Sequence, residues 1–355
     1  MKTIRILGAG LSGLSAAINL AKAGYTVDVF EKRSDCGKRF HGDLEGLENW
    51  STKQDVLQIL QSMNINTNFK KYPFKTMHLT DGKEILHNTS KNPIFYILQR
   101  GADKNTLDQA LKNQAIKSGV TIHFNSKETK ENMDIIATGS DEKKRVGVAK
   151  GILFQTDSND MAVALINKNV SNSGYAYLLI AQGIGSMLSV NFLETDMNAS
   201  VYFNKTYETF TDLFEIDIRN KKNLGGVGCF LYKPRLNENK KLYIGEAAGL
   251  QDYLWGFGMR YAIVSGFYAA LSIIEQKNYK KLIKNNLTSR INRSVVNRYF
   301  CVKYGHLFYK NLMRLARENN QWHNLLFNAY NPSWYSRVIY PFAKRNLIKR
   351  YQYHS

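Results

Sequence analysis

The chain has 355 residues, 44% of them hydrophobic and 22% charged, with 5 prolines and no low-complexity run, so it is long enough to bury a full core as two domains or as one domain with an appendage. Its three cysteines, Cys36, Cys229 and Cys301, lie far apart without CxxC spacing, which argues against a disulfide framework or a zinc site and fits a reducing cytoplasm. The net charge of +20 is uneven: from Lys280 onward fifteen Lys and Arg stand against one acid, Glu318, and a stretch so basic is expected to face something anionic or to be held apart from the catalytic body.

Residues 3–31 read as strand, glycine turn, helix and strand, and no signal peptide is expected before a strand that starts at once. Gly8-Ala9-Gly10-Leu11-Ser12-Gly13 follows the first strand and opens the helix, and Ala17 extends the pattern to GxGxxGxxxA. Gly8 permits the tight turn, Gly10 lets backbone approach a pyrophosphate, and Gly13 lets the helix pack on the strand. The helix start offers free N–H groups and a partial positive charge, worth about 0.3–1 kcal/mol to a phosphate. Glu31, at the end of the second strand, is placed to accept hydrogen bonds from ribose hydroxyls. This fingerprint predicts a dinucleotide site without separating NAD from FAD.

An amphipathic helix is expected over 51–64. The pattern from 72 to 98 is strand-like, with Asp81-Gly82 as a hairpin turn. A helix over 104–118 stops at Gly119, and short strands follow at 120–124 and 133–137. Residues 144–236 read as β-rich, with strands expected at 147–156, 161–165, 174–180, 187–193, 200–203 and 209–218. Residues 175–193 carry no charge and approach the roughly 20 apolar residues of a spanning helix. Gln182-Gly183-Ile184-Gly185-Ser186 interrupts them and predicts a turn between two buried strands instead. A strand over 241–244 runs into Gly245-Glu246-Ala247-Ala248-Gly249, and a long helix starts near Gly256. From Asn278 the chain reads as helical, basic and aromatic.

Three later segments separate FAD from NAD. Met133-Asp134-Ile135-Ile136-Ala137-Thr138-Gly139 resembles the ATG strand of two-domain FAD proteins. Gly245-Glu246-Ala247-Ala248-Gly249 resembles their GDAAG segment, whose acid binds flavin ribitol hydroxyls; Glu246 stands where Asp is usual. Trp255-Gly256-Phe257-Gly258-Met259-Arg260 resembles the loop and helix start that face the flavin pyrimidine. Taken together, over about residues 1–275, these motifs resemble the geranylgeranyl reductase branch of the para-hydroxybenzoate hydroxylase-type flavoproteins.

The resemblance implies an α/β fold: a Rossmann-type FAD-binding domain (1–72, 99–143 and 237–278) and an inserted β-rich substrate domain (73–98 and 144–236); outside the resemblance, the residues from 279 to 355 read as a basic, aromatic C-terminal helical region. Motif and resemblance together give cofactor contacts at Gly8, Gly10, Leu11, Ser12, Gly13, Glu31, Lys32, Arg39, Arg100, Thr138, Gly139, Gly245, Glu246, Gly256, Gly258 and Met259. Arg100 is included because an Arg at the end of its strand reaches, in relatives, toward the phosphate and ribose side of the cofactor. Catalysis would centre on the flavin, with Cys36, Trp255 and Phe257 as candidate neighbours, Cys36 being a flavin-adjacent thiol or a buried bystander.

No Ser-His-Asp or metal-ligand spacing stands out, the seven histidines are scattered, and the Trp-x-Trp-x-Ile-Pro motif of flavin-dependent halogenases is absent. No second GxGxxG unit is present, so NAD(P)H would dock transiently, or a reduced ferredoxin or similar acidic carrier would deliver electrons, drawn by the basic surface. Tyr175, Tyr177, Leu179, Ile184, Met187, Leu188, Trp255 and Phe257 are candidate walls of an apolar pocket, or plain sheet core. Three readings follow: a reductase of double bonds in a hydrophobic, isoprenoid or lipid-like substrate; a monooxygenase acting on an apolar or aromatic substrate; and a non-enzymatic electron-transfer flavoprotein. Rings interleaved with cations after Asn278 fit helices at a bilayer surface, making a cytoplasmic, peripheral protein; nucleic acid is disfavoured because no recognition module is visible.

Overall fold

Strands that are apolar at every inward position, joined by a helix, demand a sheet covered on both faces. In the computed structural model, which describes residues 3–140, 146–171, 173–192, 198–319 and 321–352, that sheet is built around Thr3–Leu7. It pairs in parallel with Thr26–Phe30 on one side and Ile135–Ile136 on the other, and Ile4, Ile6, Val27 and Val29 are all but sealed from solvent. Six strands result, in the order Asn237–Glu238, Lys241–Tyr243, Ile135–Ile136, Thr3–Leu7, Thr26–Phe30, Thr121–His123. The first helix, Leu11–Lys22, lies against the helix Met259–Ile274 at close range: a Cβ on Gly266 would meet the Ser12 carbonyl at 2.2 Å, and the Ser15 hydroxyl donates to the Ile263 carbonyl at 2.8 Å.

A second sheet of seven strands runs Arg219–Gly228, Gly147–Gln155, Ile184–Phe192, Tyr175–Ala181, Met161–Leu165, Thr76–Thr80, Ile85–Thr89. All of its pairs are antiparallel except Met161–Leu165 with Thr76–Thr80. The uncharged stretch from 175 is a two-residue hairpin, turning at Gln182 and Gly183 with φ of 53° and 79°. Residue 193, the expected end of its second strand, lies outside the described residues. Asp81-Gly82 sits in the Thr76–Thr80 to Ile85–Thr89 hairpin as expected. A third sheet, Leu44–Glu48, Phe95–Gln99 and Lys71–Phe74, is antiparallel and lies between the other two.

Two expected strands are absent. Residues 200–203 and 209–213 belong to one helix, Ala199–Leu213, packed on the large sheet. Its β-branched and aromatic residues favour strand locally. The competing signal is the apolar stripe Phe203, Thr206, Tyr207, Phe210, spaced i, i+3, i+4, i+7, below an Asn198 side chain that caps the Ser200 N–H. The edge strand of this sheet is instead Arg219–Gly228, whose exposed Lys221 and Lys222 hide it from an apolar pattern and guard an open edge. Cys229-Phe230-Leu231 follows its end.

After Asn278 come Tyr279–Ile283, Ser289–Tyr304, His306–Glu318, Trp322–Tyr330 and Trp334–Gln352, with a π-helical turn at Lys284–Thr288. This region is not held apart from the body. Ile291, Val295, Val296, Ala343 and Leu347 join the cluster that includes the glycine-turn helix, and Arg298 is fully buried. Among the described residues no helix is long and apolar enough to cross a membrane.

Candidate flavin and substrate site

The glycine turn has the geometry its sequence demands. Gly8 has φ of 107°, and a Cβ there would stand 2.5 Å from the Ala137 carbonyl oxygen; a Cβ on Gly13 would stand 2.0 Å from the Gly8 carbonyl oxygen. A Cβ on Gly10, by contrast, would meet nothing within 4 Å. Gly10 precedes the helix without a side-chain cap, and the first turn has no acid, so its amides face an open cradle. Glu31 is fixed beside it, accepting from Ala9 N–H through Oε2 and Arg33 N–H through Oε1, both at 3.0 Å.

The opposite end of the groove is organised by residues that sequence reading missed. Asp252, fully buried, accepts from the backbone N–H of Trp255 at 2.7 Å and of Leu254 and Gly256 at 3.1 Å. That fixes the loop leading through Gly256, with φ of 85°, to Gly258, the uncapped start of the Met259–Ile274 helix. Burial raises the Asp252 carboxyl above its ordinary range, while the amides and the charge of Arg298 lower it. Arg298 donates from Nε to the Tyr253 carbonyl at 2.9 Å, from one terminal nitrogen to Leu254 at 2.7 Å, and from the other to Ser173, with its guanidinium over the Phe192 ring. An Asp three residues before Trp-Gly is a readable turn signal; an Arg within the basic C-terminal region gives no hint that it is buried.

Between these ends Arg39 crosses the groove, with one terminal nitrogen donating to the Val227 carbonyl at 2.7 Å and the other 3.5 Å from Glu246 Oε2. Glu246 Oε1 accepts from Cys229 N–H. Arg100 stands in the wall with its fork on Asp108, at 2.8 and 2.9 Å, and its remaining nitrogen on Glu45 at 3.0 Å. All the cofactor contacts expected from sequence line one continuous cavity of about 850 Å³, except Gly13 and Gly245, which stand behind Gly8 and Ser12. Trp255 and Phe257 line it too. Cys36 does not: it is buried behind the wall, and burial, with the charges of Asp35 and Glu31, pushes its thiol up to about 12, so it stays protonated at neutral pH.

Beyond Trp255 and Phe257 the cavity becomes an apolar chamber walled by Tyr175, Tyr177, Leu179 and Leu188. Met187 is instead core, with no exposed surface. Phe308, Leu312, Trp322 and Leu326, from two C-terminal helices, close the chamber. No described histidine lines the cavity, and no described cluster of three His, Cys, Asp or Glu could hold a metal.

Residues 6–45 match the model of an NAD(P)-binding Rossmann-like domain. The chain is 23% identical over 322 residues to digeranylgeranylglycerophospholipid reductase 2 of Methanosphaera stadtmanae, covering 80% of each protein. It superposes along the whole of both chains on a geranylgeranyl bacteriochlorophyll reductase-like protein of Thermoplasma acidophilum, with a TM-score of 0.72 at 18% identity. The chain has the geranylgeranyl reductase-like fold. This fold also relates it to p-nitrophenol 4-monooxygenase of Pseudomonas putida, with a TM-score of 0.60 at 14% identity over 98% of this chain and 99% of that one. Within the geranylgeranyl reductase-like fold, the open space at Gly10, the fixed Glu31 and the second uncapped helix start at Gly258 fit an FAD.

Proposed function

We propose that this protein is an FAD-dependent reductase that saturates carbon–carbon double bonds of a hydrophobic, isoprenoid-like lipid. The observation that carries this reading is the continuity of one cavity from the glycine turn to a chamber walled by apolar and aromatic side chains. The relative from Methanosphaera stadtmanae is named as a lipid reductase. Bound FAD would supply hydride. The chain's own residues would bind and orient the cofactor: amides of Leu11 and Ser12 would meet the diphosphate, Glu31 the ribose, and Glu246 and Arg39 the ribitol, with Trp255 and Phe257 lining the passage between flavin and chamber. The packed walls exclude water. Lys32, Arg33, Lys38 and Lys127 at the dinucleotide end suit a transient NAD(P)H or an acidic electron carrier.

The test is anaerobic. FAD-loaded protein reduced with dithionite and mixed with a geranylgeranyl-bearing phospholipid should yield product heavier by two hydrogens per double bond. Product formed only with oxygen, and in step with its consumption, would establish the monooxygenase reading instead.

The same reading places the protein in the cytoplasm, docked on an anionic membrane face. Trp334, Val338 and Phe342, one turn apart on the last helix, are 78%, 72% and 57% exposed. Phe342 touches Tyr299, Tyr299 touches Phe300, and Phe300 touches the exposed Tyr304, which continues the patch. Lys303, Arg337 and Lys344 belong to the same two helices. Exposed rings with cations fit headgroups and upper acyl chains. Trp334→Ser with Phe342→Ser should weaken sedimentation with phosphatidylglycerol vesicles at least tenfold, since each buried ring is worth about 1.5–3 kcal/mol. Unchanged sedimentation would exclude this face.

A further inference from the structure

The chamber holds a charge cluster that cofactor binding leaves unexplained. Glu45 lies on the strand Leu44–Glu48 in the cavity wall, beside Asp43. The next residue, Gly46, passes under Phe257, so close that an added Cβ would stand 3.8 Å from that ring. The Glu45 side chain, on the opposite face of the strand from Gly46, points to Arg100 and lines the cavity.

Its hydrogen bonding is incomplete in a telling way. Asp108 takes two guanidinium bonds from Arg100 and a third from Gly101 N–H at 3.1 Å, and it is only 3% exposed. Among the described residues Glu45 takes one bond, at 3.0 Å, and keeps 30% of its side chain accessible on the cavity side. Two carboxyl groups thus share one guanidinium, Asp108 taking two of its nitrogens and Glu45 one, an arrangement that favours a proton on the less satisfied of them. Burial raises the Glu45 carboxyl above its ordinary range, Arg100 lowers it, and Asp43 and Asp108 raise it again. Across the chamber stand Tyr175 and Tyr177, whose phenols are raised by burial and by neighbouring charges, Glu45 among them. Tyr175 already donates to the Trp255 carbonyl at 3.0 Å.

We propose that Glu45 is the proton donor of this chamber, an assignment that rests on the reading that the chamber saturates a double bond. Bound reduced FAD would supply a hydride, an electron pair with its hydrogen, to one alkene carbon. The other receives a proton: the Glu45 O–H bond breaks as the new C–H bond forms. The resulting carboxylate is held by Arg100 and regains a proton from water between turnovers, so atoms and charge balance.

The experiment compares native protein with Glu45→Gln, which keeps the shape and the oxygen that meets Arg100. Both are loaded with FAD, reduced with dithionite and mixed with geranylgeranyl diphosphate in a single turnover. Glu45→Gln should reduce it about a hundredfold more slowly, the usual scale for losing a general acid. The native-minus-variant infrared difference spectrum should show the band of a buried protonated carboxyl at neutral pH, a readout independent of turnover and of flavin. Equal rates in the two proteins, or a difference spectrum without that band, would overturn the assignment while leaving the reductase reading intact. A native protein that reduces no double bond would overturn both.

Discussion

Gly13→Ala should give a protein that holds no FAD and melts well below the native one, whereas Gly10→Ala should lose FAD and melt normally without it. The two glycines stand three residues apart in one turn, yet their surroundings are opposite. A Cβ at Gly13 would lie 2.0 Å from the Gly8 carbonyl oxygen and 3.3 Å from Ala137 Cβ, so the helix Leu11–Lys22 must lift off its strand. Such overpacking costs about 1–3 kcal/mol, and the displaced helix start no longer presents its amides. A Cβ at Gly10 meets no protein atom within 4 Å and points into the space assigned to diphosphate. Its backbone, at φ −82° and ψ −179°, suits alanine without strain. Thermal melting of apoprotein and FAD titration by fluorescence separate the effects. Full FAD affinity in Gly10→Ala would remove the diphosphate from this turn.

The second large effect is expected far from the fingerprint. Arg298→Met should destabilise the protein by about 3–5 kcal/mol, the scale for removing one partner from a buried ionic network. Methionine matches much of the volume but leaves the carbonyls of Tyr253, Leu254 and Ser173 without their donor and Asp252 without its countercharge. The loss falls on the loop that positions Trp255, Gly256 and Phe257, so FAD affinity should fall with stability. Denaturant midpoints, measured with and without FAD, report both. A change below 1 kcal/mol would show that the loop stands without this clamp.

How much of this was legible in the sequence depended on whether each signal was local. The glycine turn, Glu31 and the hairpin at Gln182-Gly183 were legible because each needs only its own neighbours and a special backbone conformation. The helix Ala199–Leu213 was not, because its rings and β-branched residues argue for strand until the sheet beneath Phe210 decides the period. The strand Arg219–Gly228 was missed because an edge strand guarded by lysines has no apolar rhythm. Arg298 and Glu45 form the least readable class. Their roles depend on partners 44 and 55 residues away, and a charged side chain looks the same in sequence whether it is solvated or sealed.

The roof over the chamber has a further consequence for biogenesis. The diphosphate cradle is complete once the strand Ile135–Ile136 has joined its sheet, but Phe308 and Trp322 leave the ribosome long afterwards. Nascent chains can therefore present the diphosphate cradle before the chamber has its roof.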